Sequence, residues 1–281
     1  MSLFTLWCLS LLPTKLLSRC FGHLARWPAP RFLLRPVLRW YVSHFRVDVE
    51  EAEKPLSEYR TLTEFFTRRL RSGARVIDAD PQVLVSPVDG RLGQYGQIEG
   101  DTLVQAKGHT YTLTELLGAQ EYRQVFEGGS FATLYLSPRD YHRIHNPMDG
   151  AVESYSYFTG RLLPVNPPAV HNIPKLFARN ERLVTYVRHE SGAWVAVVKV
   201  GATNVGRIRL CYDDVVTNRW QDPNYRKDYQ PAIPLKKGDE LGIFEMGSTV
   251  ILLFSKEIEL RIPEGQDTFQ LGQRLALFRS A

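Results

Sequence analysis

From about Val76 onward the chain is a succession of short runs rich in β-branched and aromatic residues, and this constrains its fold more than any other feature. The runs cover 83–98, 102–113, 130–136, 151–163, 183–189, 193–212, 239–245, 249–254 and 258–262, with Asp-Gly, Gly-Gly and Lys-Gly turns between them. Many short strands with few helices predict an α+β protein whose body is a β-rich sandwich or barrel-like unit, preceded by an N-terminal helical membrane-binding segment. With 281 residues, 44% of them hydrophobic, the chain can bury one main domain with an appendage. A partial internal repeat, Pro87-Val88-Asp89-Gly90 and Pro147-Met148-Asp149-Gly150, leads into a strand each time. The segment 219–234, with Asp222-Pro223, Pro231 and Pro234, reads as a long, mobile surface loop.

The helical segment is set apart by charge. Residues 1–47 hold seven of the 35 basic residues and no acidic one, which leaves 28 basic against 30 acidic residues in the remainder. The folded body is therefore not basic, which argues against a nucleic-acid binder. Residues 3–12 are apolar but about half the length of a bilayer-spanning helix, and neither a basic start nor a small-residue cleavage site marks a secretory signal. Aromatics interleaved with basic residues instead predict helices lying in the membrane interface, with Trp7, Lys15, Arg19, Trp27, Arg31, Arg35, Arg39 and Trp40 as the lipid-facing candidates. An ordinary helix covering the core, or an organellar targeting peptide, is the alternative. Residues 48–75 then read as an acidic linker and a short amphipathic helix. Thr61-Leu62-Thr63-Glu64 is its capping box, Leu62, Phe65, Phe66 and Leu70 form its apolar face, and Arg68, Arg69 and Arg71 stand opposite on a solvated or lipid-contacting face. Residues 76–281 form the β-rich domain. Cys8, Cys20 and Cys211, odd in number and widely spaced, imply a reducing compartment and no disulfide framework.

Two stretches carry chemistry. Gly247-Ser248-Thr249 precedes the apolar run 250–254. The Ser248 hydroxyl can attack the Gly247 carbonyl, which no side chain shields, and shift the acyl group from nitrogen to oxygen. Removal of the Cα proton from the resulting ester expels the upstream chain and leaves dehydroalanine, which hydrolyses to a pyruvoyl group. The other reading is a plain turn into a buried strand. Such chemistry needs a base, and Tyr141-His142-Arg143-Ile144-His145 supplies two imidazoles. On extended backbone, residues three apart point to opposite sides, which suits two separate jobs. A metal pair and satisfied structural histidines remain open beside the base.

Ser86-Pro87-Val88-Asp89-Gly90, Tyr141-His142-Arg143-Ile144-His145, Asn180-Glu181-Arg182, Val200-Gly201-Ala202-Thr203 and Phe244 to Thr249, with Phe65-Phe66-Thr67-Arg68 ahead of them, together resemble the phosphatidylserine decarboxylases. The resemblance runs from about residue 55 to the end. It implies self-cleavage between Gly247 and Ser248, giving a β chain of 1–247 and an α chain of 248–281 that stay together. It implies that Ser248 becomes a covalent pyruvoyl cofactor, that no metal is needed, and that the substrate amine condenses with the pyruvoyl ketone as a Schiff base. By the same resemblance His145 is the base for self-processing, Asp89 orients His145, and His142 serves decarboxylation or the protonation that follows. The implied partners are phosphatidylserine, an anionic membrane met peripherally, and a second copy in a homodimer, with no nucleic acid. The implied place is the cytoplasmic side of the cell membrane, ahead of an organellar inner membrane. Met246 stands where Leu or Phe is frequent, a fair apolar substitute. The rival readings are a serine hydrolase using Ser248, His145 and Asp89, and a non-enzymatic β-rich membrane adaptor. The hydrolase lacks a Gly-x-Ser-x-Gly elbow.

Overall fold

A computed structural model of the chain describes residues 14–106, 108–118, 120–203, 207–218, 223–245 and 249–279. Its centre is the strand Thr249–Phe254, in which all six residues are buried. Alternation explains why the run is apolar throughout. Val250, Leu252 and Phe254 face one core cluster, with Leu134, Val197 and Phe244, whereas Ile251 and Leu253 face the other, with Phe131, Phe177 and Val198. Full burial of each such side chain contributes about 1.5–3 kcal/mol.

Eight strands hydrogen-bond in the order Tyr225–Leu235, Gly150–Phe158, Arg182–Arg188, Trp194–Val200, Thr249–Phe254, Ser130–Tyr135, Gly90–Gln97, Thr268–Phe269. Every pairing in this sheet is antiparallel. The sheet has two ends and does not close, so the body is α+β with an open sheet between two cores rather than a barrel. Two three-stranded sheets flank it. One joins Ile208–Leu210, Glu240–Phe244 and Arg143–His145, and the other joins Val83–Val85, Arg274–Phe278 and Ile258–Leu260.

The loop expected over 219–234 is corrected in part, because Tyr225–Leu235 is an eleven-residue edge strand. Its register slips between Asp228 and Ile233, the interval holding Pro231, and an edge accommodates prolines that a central strand does not. Residues 219–222 lie outside the described residues.

The N-terminal helices span Thr14–Arg26 and Arg31–Phe45. The second buries Leu34, Leu38 and Tyr41 in a small core of its own with Val47, Tyr59, Phe65 and Phe66, separate from the two clusters of the body. Its other side leaves Phe32, Leu33, Val37 and Trp40 exposed, as the first helix leaves Leu16, Leu24 and Trp27. Arg31, Arg35 and Arg39 share that exposed side. Arg19 does not: it is half-buried and its Nε donates to Asn218 O at 3.3 Å, so its charge is directed at the body rather than at lipid. Trp7 and the Lys15 side chain lie outside the described residues.

The expected capping box forms only in half: Thr61 Oγ1 accepts from Glu64 N–H at 2.9 Å, but the Glu64 carboxylate accepts from Arg60 N–H at 2.7 Å rather than from the Thr61 amide. The helix it starts is short, however, ending at Phe66. Leu70 instead bridges to Ala52 in extended backbone, and Arg68 turns inward to 4% exposure, so the expected solvated face is broken.

Candidate active site

The two Pro-x-Asp-Gly turns lie back to back. Val85 N–H donates to Pro147 O at 2.9 Å and His145 N–H to Pro87 O at 2.8 Å, so the strand entering each turn is tied to the other turn. Each turn is then supported alike by a glycine loop. Gly272 N–H donates to Ser86 O at 3.0 Å and Gly238 N–H to Asn146 O at 2.8 Å, while the amides of Leu271 and Lys237 donate to Asp89 and Asp149 at 2.8 and 2.9 Å. Both loop glycines have a φ of +89°, which an L side chain adopts only with strain. A carboxylate capping a loop amide is therefore common to both halves of a pseudo-symmetric pair. The chemistry lies in what breaks the symmetry: His145 occupies the place that Val85 has in the other half, and Asp89 alone gains an arginine.

That arginine is Arg75. Its Nε and Nη2 bind the Asp89 carboxylate at 2.9 and 2.5 Å, and its outer edge binds Glu51 at 2.7 and 2.8 Å. The Arg75 and Asp89 side chains are 8% and 10% exposed, so the pair is a buried, forked one.

His145, which closes the short strand Arg143–His145, is held otherwise than expected. Its Nδ1 lies 2.6 Å from Gly238 O and its Nε2 3.2 Å from the Tyr141 hydroxyl. A carbonyl only accepts, so Nδ1 carries the proton and Nε2 keeps the lone pair, accepting from Tyr141. The tautomer is thus set by Gly238, and the Asp89 carboxylate acts on His145 through its charge while its hydrogen bonds go to Arg75 and Leu271. Burial pushes His145 below the ordinary imidazole range, against the opposing pull of Gly238 O, Glu240 and Asp89. Burial likewise pushes Tyr141 up, so that it stays a donor. The result is a neutral imidazole presenting a base at Nε2.

His142 repeats the device on the other side of the strand. It is fully buried, its Nδ1–H donates to Asp140 O at 2.8 Å, and its Nε2 has no partner among the described residues. Its ring lies 3.9 Å from that of Phe66. Burial and then the nearby Arg68 charge push its pKa down to about 3. The two imidazoles thus have separate surroundings, as extended backbone requires. Among the described residues no group of three or more His, Cys, Asp or Glu side chains is placed to hold a metal ion.

Gly247 and Ser248 lie outside the described residues, but what brackets them is well defined. On one side Phe244 N–H donates to His142 O at 3.0 Å, and on the other Thr249 pairs across the sheet with Tyr135 and Val200. Tyr135 also divides two cavities. One, of about 700 Å³, is polar and is walled by Asp89, Arg75, Tyr141 and Arg68. The other, of about 510 Å³, is apolar and runs between the N-terminal helical core, at Val37, Trp40, Phe45 and Phe66, and the body at Leu136 and Ala202.

A model of the family described as phosphatidylserine decarboxylase matches residues 62–277. The chain belongs to the phosphatidylserine decarboxylase family. It is 48% identical over 246 residues to the phosphatidylserine decarboxylase proenzyme of Myxococcus xanthus, covering 88% of this chain and 87% of that one. It is 45% identical over 269 residues to the proenzyme of Brevibacillus brevis, and 42% identical over 271 residues to that of Marinobacter nauticus. These cover 94% and 93% of this chain, and the same shares of each relative.

In two further motifs, Asn180-Glu181-Arg182 and Val200-Gly201-Ala202-Thr203, side chains hold neighbouring backbone in place. Asn180 Nδ2 donates to Leu163 O and Gly201 O, both at 2.9 Å, and Thr203 Oγ1 donates to Leu162 O at 2.7 Å. Arg182 donates to Leu116 O, Glu115 O and Ala178 O. They pin the loop around 160–163 to the end of Trp194–Val200, the strand beside Thr249. The residues that sequence reading missed are Arg75, Gly238 and the Tyr141 hydroxyl. Only Tyr141 had a signal, its place in the histidine motif.

Proposed function

We propose that the chain is made as one precursor, cuts itself between Gly247 and Ser248, and then converts phosphatidylserine to phosphatidylethanolamine and CO₂ at a membrane surface. The observation that carries this reading is the pair of buried imidazoles, His142 and His145, each with Nδ1–H tied to a backbone carbonyl and Nε2 left as a base. They occur in a member of a family whose relatives are named proenzymes.

In self-processing, His145 Nε2 takes the Ser248 hydroxyl proton as the oxygen attacks Gly247, and later takes the Cα proton that permits elimination. Asp89 favours the imidazolium so formed, through its charge. Water then replaces the nitrogen of the dehydroalanine, ammonia leaves, and Ser248 ends as pyruvoyl. His142 Nε2, without a partner among the described residues, suits such a group, whose ketone supplies a sink for the electron pair left by CO₂. A neutral His142 cannot begin as a proton donor. It takes the proton that the substrate ammonium gives up on binding, and returns it to the carbon that has lost CO₂.

The two chains would not separate after cleavage, because Thr249–Phe254 is paired along its whole length to strands of the longer chain on both sides. A homodimer of that unit is the expected assembly. Among the described residues no helix is long and apolar enough to cross a membrane. The exposed face of Phe32, Leu33, Val37 and Trp40, with Arg31, Arg35 and Arg39 beside it, suits peripheral docking on the anionic, cytoplasmic face of the cell membrane. Each basic side chain there contributes about 1 kcal/mol. In this reading residues 1–47 are the docking segment, 48–75 the linker and 76–281 the catalytic domain.

The test is Ser248→Ala. Wild type should run as two chains on a denaturing gel, the smaller one blocked at its N-terminus and heavier after borohydride. The variant should stay whole and release no CO₂ from phosphatidylserine. Cleavage of the variant at this bond, or an uncut active wild type, would refute the mechanism.

A further inference from the structure

Arg68 takes no part in the chemistry above, yet its position is unusual for an arginine. It is buried, and only Nη2 is used, donating to Arg139 O at 2.8 Å and to Asp140 O at 3.5 Å. Nε and Nη1 are buried with no acceptor among the described residues. Among the described residues no carboxylate pairs with it, since Arg75 holds both Asp89 and Glu51. A buried cation with unmade hydrogen bonds is costly, and an arriving anion removes that cost.

Its place in the fold says which anion. The guanidinium lies 5.4 Å from the Phe65 ring centroid, lines the polar cavity, and acts by its charge on His142. The adjacent Phe66, whose ring also meets His142, lines the apolar cavity with Leu62. Phe66 thus touches both the apolar cavity and His142, and Arg68, whose charge reaches His142, lines the polar cavity. A diacyl serine phospholipid carries the parts that such surroundings suit: apolar chains, a phosphate anion and a serine.

On the reading of the site as a phosphatidylserine decarboxylase, we infer that Arg68 is the subsite for the lipid phosphodiester, its charge and its spare N–H donors serving the unesterified oxygens. The substrate carboxylate is a poor occupant, because its charge leaves as CO₂ forms and a strong ion pair would hold back the ground state. The phosphodiester keeps its charge throughout, so binding it does not oppose the reaction.

The experiment compares full-length wild type, Arg68→Gln and Arg68→Lys after a gel has shown complete self-cleavage. Turnover is measured on phosphatidylserine in detergent micelles, and on O-palmitoylserine, which has the amine and carboxylate but no phosphate, as substrate or competitor. Arg68→Gln should raise KM for phosphatidylserine by about tenfold to a hundredfold with a smaller change in kcat. Arg68→Lys, which keeps the charge and loses the planar set of donors, should fall between. All three should show the same KM, or inhibition constant, for O-palmitoylserine, since any change in kcat from the lost charge beside His142 is shared by both substrates. Where Arg68→Gln does not mature, Arg68→Lys carries the comparison. An unchanged KM for phosphatidylserine overturns the inference. So does a parallel rise in KM, or inhibition constant, for O-palmitoylserine, which would put Arg68 on the carboxylate or in the scaffold. A wild type that releases no CO₂ from phosphatidylserine overturns the decarboxylase reading itself, and the subsite with it.

Discussion

Lowering the pH tests the burial of His142 directly. In the fold its pKa is pushed from 6.5 to about 3, by desolvation first and the Arg68 charge second. In the unfolded chain it returns to the ordinary value. Between those two values the unfolded state binds more protons, so stability falls as pH falls, and the fall ends only when the folded imidazole also protonates. At 1.36 kcal/mol per pH unit, the loss relative to pH 7.5 is about 1.4 kcal/mol at pH 5.5 and about 2.6 kcal/mol at pH 4.5. His145, also lowered by burial, adds a loss of the same sign. The assay is urea unfolding followed by tryptophan fluorescence at each pH, for wild type and His142→Gln. Carboxylate titrations are common to both and cancel in the difference. The variant's stability should decline less steeply, by the amounts just given. Curves that stay parallel to within about 0.5 kcal/mol at pH 4.5 would show that His142 is not held neutral by the fold.

Two further perturbations probe the surroundings. Arg75→Met leaves Asp89 buried without its cation, which should cost about 3 kcal/mol or more and slow self-cleavage, read from a thermal melt and a gel time course; an unchanged melt would contradict the buried fork. Phe32→Ser with Trp40→Ser should leave the melt nearly unchanged and reduce sedimentation with anionic vesicles at least about tenfold, losing roughly two exposed apolar anchors. Leu38→Ala, at a position 1% exposed, should instead cost about 2–5 kcal/mol.

The limits of the sequence show at particular residues. The alternation of the body was legible, and so was the Thr61 side-chain cap, because both depend on neighbours a few positions apart. The strand Tyr225–Leu235 was hidden, since Pro231 and Pro234 signal a loop and only its place at the sheet edge makes them tolerable. Arg68 and Arg75 were equally hidden. Arg68 reads as one of a solvated run with Arg69 and Arg71, and Arg75 carries no motif, whereas their burial is decided by partners such as Tyr41 and Asp89 from other segments.

By itself the sequence determined the chemistry on offer: a Gly-Ser bond before an apolar strand, two imidazoles on extended backbone, and a repeated Pro-x-Asp-Gly turn. Those are covalent facts or follow from local geometry. Only the tertiary structure decided that the two turns interlock, that His145 takes its tautomer from Gly238 rather than from Asp89, and that Arg75 neutralises Asp89 while Arg68 is left with donors to spare. A hydrogen-bond partner brought from some 90 residues away, as Gly238 is to His145, leaves no trace in local periodicity.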